Sequence, residues 1–194
     1  MNTPPTQPDP WLRGPVAGVP ALLQPVAHAL IAAREEIDRT IAGIGRDELW
    51  ARPGGVASVG FHVAHLAGAT DRLFTYARGE ALSESQRADL VRERAVADTR
   101  PEAETLLVAL RETIRRGLDQ LAATDESTLT QPRAVGRAQA ASTVLGLLFH
   151  AADHAARHSG QVVTTARLVR ASAPLRHPDG APSGGQEPFL RAGS

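Results

Sequence analysis

Five of the seven histidines fall in two short stretches. His62 and His65 lie three apart in FHVAHLAG, and His150, His154 and His158 follow one another at four-residue steps in HAADHAARHSGQ. On an α-helix, residues three and four apart share a face. An H-x-x-x-H pair can therefore aim two imidazole nitrogens at one ion at about 2.0–2.1 Å, the usual Zn–N distance. A third histidine from a neighbouring helix completes a three-imidazole face and leaves positions open to water or substrate. Stacked cationic imidazoles repel, and neutral ones need partners for both ring nitrogens; a divalent metal meets both demands. The spacing favours a metal site over a histidine-rich core, but allows either His150–His154 or His154–His158 as the pair.

Two absences narrow the remaining chemistry. The chain has no cysteine, which removes disulfides, thiolate ligands and a cysteine nucleophile. It has no lysine, and all 21 basic residues are arginine, which removes Schiff-base chemistry and the P-loop lysine. No Glu-x-x-His, His-Glu-x-x-His or Gly-x-Ser-x-Gly occurs, so di-iron bundles, zinc proteases of that type and serine hydrolases are not indicated. With 21 basic against 21 acidic residues and no basic block, nothing favours nucleic acid or an anionic membrane as partner. No stretch has the length of a membrane span or the order of a secretory signal, and a cytoplasmic protein is expected.

The elements that must position these histidines are helical. At 194 residues, 42% hydrophobic and 22% charged, the chain suits one globular domain. Residues 1–20 carry six prolines and read as an extended lead-in, with Trp11 as its anchor on the body. Residues 171–194, rich in Pro, Gly and Ser, read as a flexible tail. Within 21–170 four amphipathic helices are expected. The first spans residues 21–44, with Leu30, Ile37 and Ile41 inward. After a loop over 47–55, a second begins behind Ser58 as N-cap and ends at Gly79. A polar stretch over 80–100 holds one loose helical piece around 87–97. A third helix starts at Thr99-Arg100-Pro101-Glu102 with proline in its first turn, and a fourth spans 141–169. No period-2 strand is expected. Helices of this length with moderate connections bury their stripes against one another, so the expected fold is all-α, an antiparallel four-helix bundle.

HVAHLAGATDRLFTYARG together with HAADHAARHSGQVV resembles the DinB/YfiT-like superfamily of four-helix metalloproteins. In that family an H-L-A histidine on the second helix joins an H-x-x-x-H pair ahead of Gly-Gln on the last long helix. The resemblance therefore implies His65, His154 and His158, ahead of Gly160-Gln161, as the ligands of one divalent ion, zinc or nickel, with manganese or iron as alternatives. LWARPGGVASVGFHVAHLA also resembles the family's Trp–Pro lead into its second helix. On this basis His62 and His150 are expected to flank the site rather than ligate. Asp71 and Asp153 are candidates to orient ligand rings, although surface charge is the plainer expectation for both. Arg72 and Arg157 are expected on solvated helix faces.

Three neutral imidazoles leave the +2 charge of an ion undiminished, which favours deprotonation of a bound thiol or water. Two enzyme classes follow: a thiol S-transferase or thiol-dependent isomerase acting on a small molecule with a low-molecular-weight thiol as cofactor, and a metal-dependent hydrolase. Members of the resembled family include both kinds. The thiol chemistry is preferred because no general base is evident beside the histidines. A non-catalytic metal-binding or stress-related bundle is the alternative of a different class. The arginine-only, alanine-rich composition points to a GC-rich bacterial genome, and the resemblance implies a homodimer through helix faces.

Overall fold

The structure, a computed structural model, describes residues 7–172. Its long helices are α1 (Gln24–Ile41), α3 (Val59–Ala77), α6 (Ala103–Ala122) and α7 (Val144–Ser172). Shorter ones are α2 (Arg46–Trp50), α4 (Glu84–Arg94) and α5 (Val96–Thr99). A hairpin of β1 (Pro132–Val135) and β2 (Ala140–Thr143) precedes α7. The chain is all-α in class, as expected: α7 packs between α1 and α3, and α6 closes the bundle against both. None of the described helices is long and apolar enough to cross a membrane.

Helical periodicity builds the core. In α1, Val26, Ala27, Leu30, Ala33, Ile37 and Ile41 are buried on one stripe. α6 presents Leu106, Leu107, Leu110, Ile114 and Leu121, and α7 presents Leu147, Leu148, Ala151, Ala155, Val162 and Ala166. Burying a large aliphatic side chain such as Leu110 or Leu148, both fully enclosed, contributes about 1.5–3 kcal/mol. The small residues along α7 let α1 and α3 approach it closely.

Several boundaries differ from expectation, each for a local reason. α1 stops at Ile41 rather than residue 44, because Gly43 takes a left-handed turn at φ 69°. The segment expected as a loop contains α2, whose start is tied by the Glu48 carboxylate accepting from the Gly45 N–H at 3.0 Å. The polar stretch over 80–100 is mostly helical. A capping box starts α4: Ser83 Oγ accepts from the Gln86 N–H at 3.1 Å, and Gln86 Oε1 accepts from the Ser83 N–H at 2.9 Å. α6 begins at Ala103, so Pro101 stays outside it, and its carbonyl accepts from Trp50 Nε1–H at 3.1 Å. α7 begins at Val144 because residues 140–143 pair antiparallel with 132–135. At four residues a strand, with no residue buried in either, the hairpin is too short and too shallow to show alternation in the sequence. It also ties down the end of α3, where Arg133 Nε donates to the Ala77 carbonyl at 2.8 Å.

Trp11 does not anchor the lead-in, since it is 63% exposed. The work is done by a bidentate pair of Arg13 with Glu35, both bonds 2.7 Å, and by buried Val19. Of the tail expected over 171–194, Ala171 and Ser172 belong to α7, and the remainder, including His177, lies outside the described residues.

Ser58 is the N-cap of α3, its Oγ accepting from the Phe61 N–H at 3.2 Å. Within the first turn, Gly60 lies under the Trp50 indole; a Cβ there would sit 2.8 Å from the ring. This contact docks the connection from α1 onto the helix that carries His62 and His65.

Candidate metal centre

α3 and α7 face each other along the stretches that carry the histidines. His65 Nε2 and His154 Nε2 are 3.2 Å apart, and the ring centroids of His154 and His158 are 4.4 Å apart. One ligand atom from each of His65, His154 and His158 can be chosen so that all lie within 4.8 Å of one another. Two nitrogens 3.2 Å apart, each about 2.05 Å from a shared ion, would subtend roughly 100° there, close to the tetrahedral value. At the tetrahedral angle two such nitrogens stand about 3.3 Å apart, so a separation at the 4.8 Å limit closes by about 1.5 Å of ring movement shared between the two side chains.

The protein alone does not close the hydrogen bonding of this cluster. His154 Nδ1 is buried without a partner, a condition that costs free energy in a purely hydrogen-bonded core. Burial first, then neighbouring imidazoles and Arg157, push the His154 pKa down to about 4. Burial and the rings of His154, His65 and His62 push His158 down to about 3. At neutral pH both are therefore uncharged and offer lone pairs, the state a cation requires. The donor set thus fits a divalent ion held by nitrogen.

The other histidines fall where the sequence leaves room for them. His62 is 6% exposed, and its Nδ1 lies 3.1 Å from His158 Nδ1; burial and nearby His65 lower its pKa. It flanks the three-histidine group without joining it. His150 is exposed, with its ring 6.0 Å from that of His154, and is outside the group as well. Of the two H-x-x-x-H registers, the structure brings His154–His158 to His65. His28 has a plain role, its Nε2 lying 3.0 Å from the Gly14 carbonyl.

Neither aspartate orients a ligand ring. Asp71 is taken up by Gln86 at 2.6 Å and Arg116 at 3.1 Å, and Asp153 pairs with Arg157 along α7. The carboxylate at the site is Glu93 of α4, whose Oε1 accepts from His65 Nδ1–H at 2.6 Å. Arg72 is not on a solvated face: its side chain is 13% exposed, and Nη1 bonds Glu93 Oε2 at 2.7 Å. Burial alone would raise the Glu93 pKa, but the hydrogen bonds from His65 and Arg72 hold it below the ordinary carboxylate value. Sequence reasoning missed Glu93 because α4 is mostly polar and its apolar residues, Ala88, Leu90 and Val91, form no periodic stripe to place it. The available signal was on α3, where Gly68 and Arg72 follow His65 on one helix face and require a partner there.

Beyond Glu93, helices α3 to α6 enclose a cleft of about 530 Å³ lined by Ala67, Gly68, Leu106 and Thr113 among others. Among the described residues no histidine lines it, and the Glu93–Arg72 pair stands between it and the imidazoles.

The family model described as the DinB superfamily matches residues 7–162. No curated protein shows a significant match. Among solved structures, a conserved protein from Enterococcus faecalis superposes with a TM-score of 0.65 at 22% identity, over 77% of this chain and 98% of that one. At that identity the likeness speaks to the fold.

Proposed function

The chain belongs to the DinB superfamily, and from that premise we propose that it is a metal-dependent enzyme that uses His65, His154 and His158 to hold one divalent ion and activate a small thiol. The observation that carries this is the convergence of three imidazoles within 4.8 Å from two helices, two of them kept uncharged by burial. A closed structural zinc site has four protein ligands. Here, among the described residues, the group that could hold an ion contains three.

A divalent ion bound there supplies a positive charge that favours the thiolate form of a thiol. The residues do the rest by position. His65 presents Nε2 because Nδ1 is occupied by Glu93. His62 sits against Nδ1 of His158 and so leaves the other nitrogen of that ring to the site. Phe61 stacks on His65 at a centroid distance of 5.7 Å, which restricts rotation of the ring and covers it with an apolar face. Glu93 is already engaged by His65 and Arg72, so among the described residues no free carboxylate stands ready beside the imidazoles as a general base, which favours thiol over hydrolytic chemistry.

Zinc and nickel suit an all-imidazole set best. A cytoplasmic homodimer completes the proposal. It is tested by replacing the ion with Co²⁺ and adding low-molecular-weight thiols. A thiolate-to-cobalt charge-transfer band in the near ultraviolet, absent with the hydroxyl analogue of each thiol and absent in His158→Ala, is expected. No band with any thiol, together with turnover of an ester or amide panel, would replace the thiol function by a hydrolytic one.

A further inference from the structure

We propose that Glu93 is the positioning residue that sets the ligand nitrogen of His65, with Arg72 and Gly68 as its supports; this rests on the metal assignment above. An imidazole can offer its Nε2 lone pair only while the proton resides on Nδ1, and a carboxylate accepting from Nδ1–H selects that tautomer and fixes the plane of the ring. Glu93 Oε1 occupies that position at 2.6 Å.

Three observations separate this from a casual ion pair. First, the Glu93 side chain is 10% exposed and that of Arg72 is 13% exposed, so neither is a mobile surface charge. Second, the two carboxylate oxygens divide their work: Oε2 is taken by Arg72 Nη1 at 2.7 Å, leaving Oε1 to His65. The guanidinium keeps the carboxylate ionised and stops it swinging away. Third, the backbone of α3 makes room for the pair. A Cβ at Gly68 would collide with Glu93 Oε2 and lie 2.7 Å from Arg72 Nη1. Both atoms are held in the pair, so a side chain at this position would displace it.

Glu93 is not a fourth ligand in disguise. The two nitrogens of an imidazole point away from each other across the ring, so a carboxylate bound at Nδ1 of His65 lies on the side opposite an ion at Nε2. The segment that joins the second and third long helices thus carries a functional carboxylate, delivered by α4 and its Ser83–Gln86 capping box.

The experiment uses the full chain as wild type, Glu93→Ala, Glu93→Gln and Gly68→Ala, each checked for helical content and cooperative melting. Zinc affinity is measured by competition with a chromophoric chelator, and the His65 tautomer by long-range ¹H–¹⁵N correlation in metal-free protein. Wild type is expected to show the Nδ1–H tautomer. Glu93→Ala is expected to mix the two tautomers and lose about 10–100-fold in zinc affinity. Glu93→Gln, whose amide oxygen can still accept, is expected to recover most of that loss. Gly68→Ala is expected to weaken zinc binding while removing no polar group, and it carries the test if Glu93→Ala does not fold. Zinc affinity of Glu93→Ala within about twofold of wild type, with the His65 tautomer unchanged, would overturn the inference. So would a Gln variant no better than Ala. If wild type bound no zinc, the metal assignment would fall, while the tautomer in metal-free protein would still decide what Glu93 does.

Discussion

Lowering the pH should destabilise the metal-free protein between about pH 6.5 and 5, through His154 and His158. An imidazole in the unfolded chain takes up its proton near 6.5, whereas in the folded protein His154 does so at about 4 and His158 at about 3. The depressed folded values mean that the unfolded state binds more protons throughout this window. The contribution of these rings to stability is therefore complete above about pH 6.5 and is lost as pH falls. At pH 5, a shift from 6.5 to about 4 corresponds to about 2 kcal/mol for one fully shielded ring. Both rings are only half-buried, and screening by water reduces this to about 1 kcal/mol each, about 2 kcal/mol for the pair. Urea denaturation with a strong chelator present, repeated at pH 7.5, 6.5, 5.5 and 5, reads the effect as a falling midpoint at constant m-value. The double variant His154→Gln/His158→Gln should flatten the slope, leaving a residue from His62, whose pKa is also lowered by burial. Glu93 does not interfere, because its lowered pKa places its loss below pH 4.5. A wild-type midpoint independent of pH across this range, or an equal slope in the double variant, would refute the electrostatic account of the site.

Gly60→Ala, with its new Cβ 2.8 Å from the Trp50 ring, should cost about 1–3 kcal/mol and lower the melting temperature, since neither the indole nor the α3 backbone has space to move into. Ser58→Ala removes the N-cap bond to the Phe61 N–H and should cost about 1 kcal/mol in urea denaturation, with zinc stoichiometry retained. His150→Ala should bind zinc as wild type does in the chelator assay, because that ring stands outside the three-histidine group; loss of binding would move the site one turn along α7.

The bundle was legible because its signal is repeated. Stripes such as Val26–Leu30–Ile37–Ile41 recur over many turns, and Ser58 announced the start of α3 correctly. The histidines were legible for the same reason, since spacings of three and four residues translate directly into a shared face. Spacing alone could not choose between His150–His154 and His154–His158. That choice depends on how α7 is rotated against α3, a property of packing between helices far apart in sequence. Glu93 was hidden for the complementary reason. It reaches His65 across 28 positions from a mostly polar helix that has no apolar stripe, so neither periodicity nor hydrophobicity distinguishes it from Glu84 or Asp89. The hairpin at 132–143 was missed because its pairing is set by backbone bonds, with Gly136 and Gln139 in left-handed conformations at its turn, rather than by a buried alternating face. Trp11 shows the opposite error: a large aromatic in a proline-rich segment invites an anchoring role, but Arg13 and Val19 take it.

The central claim is that His65, His154 and His158 hold one divalent ion. Metal content of gently purified protein, measured by inductively coupled plasma mass spectrometry on wild type, His154→Ala and His177→Ala, tests it most directly. About one zinc, nickel, manganese or iron per chain is expected in wild type and in His177→Ala, and none in His154→Ala. A wild type that takes up no metal even after reconstitution, or a His154→Ala variant that keeps its ion, would contradict it.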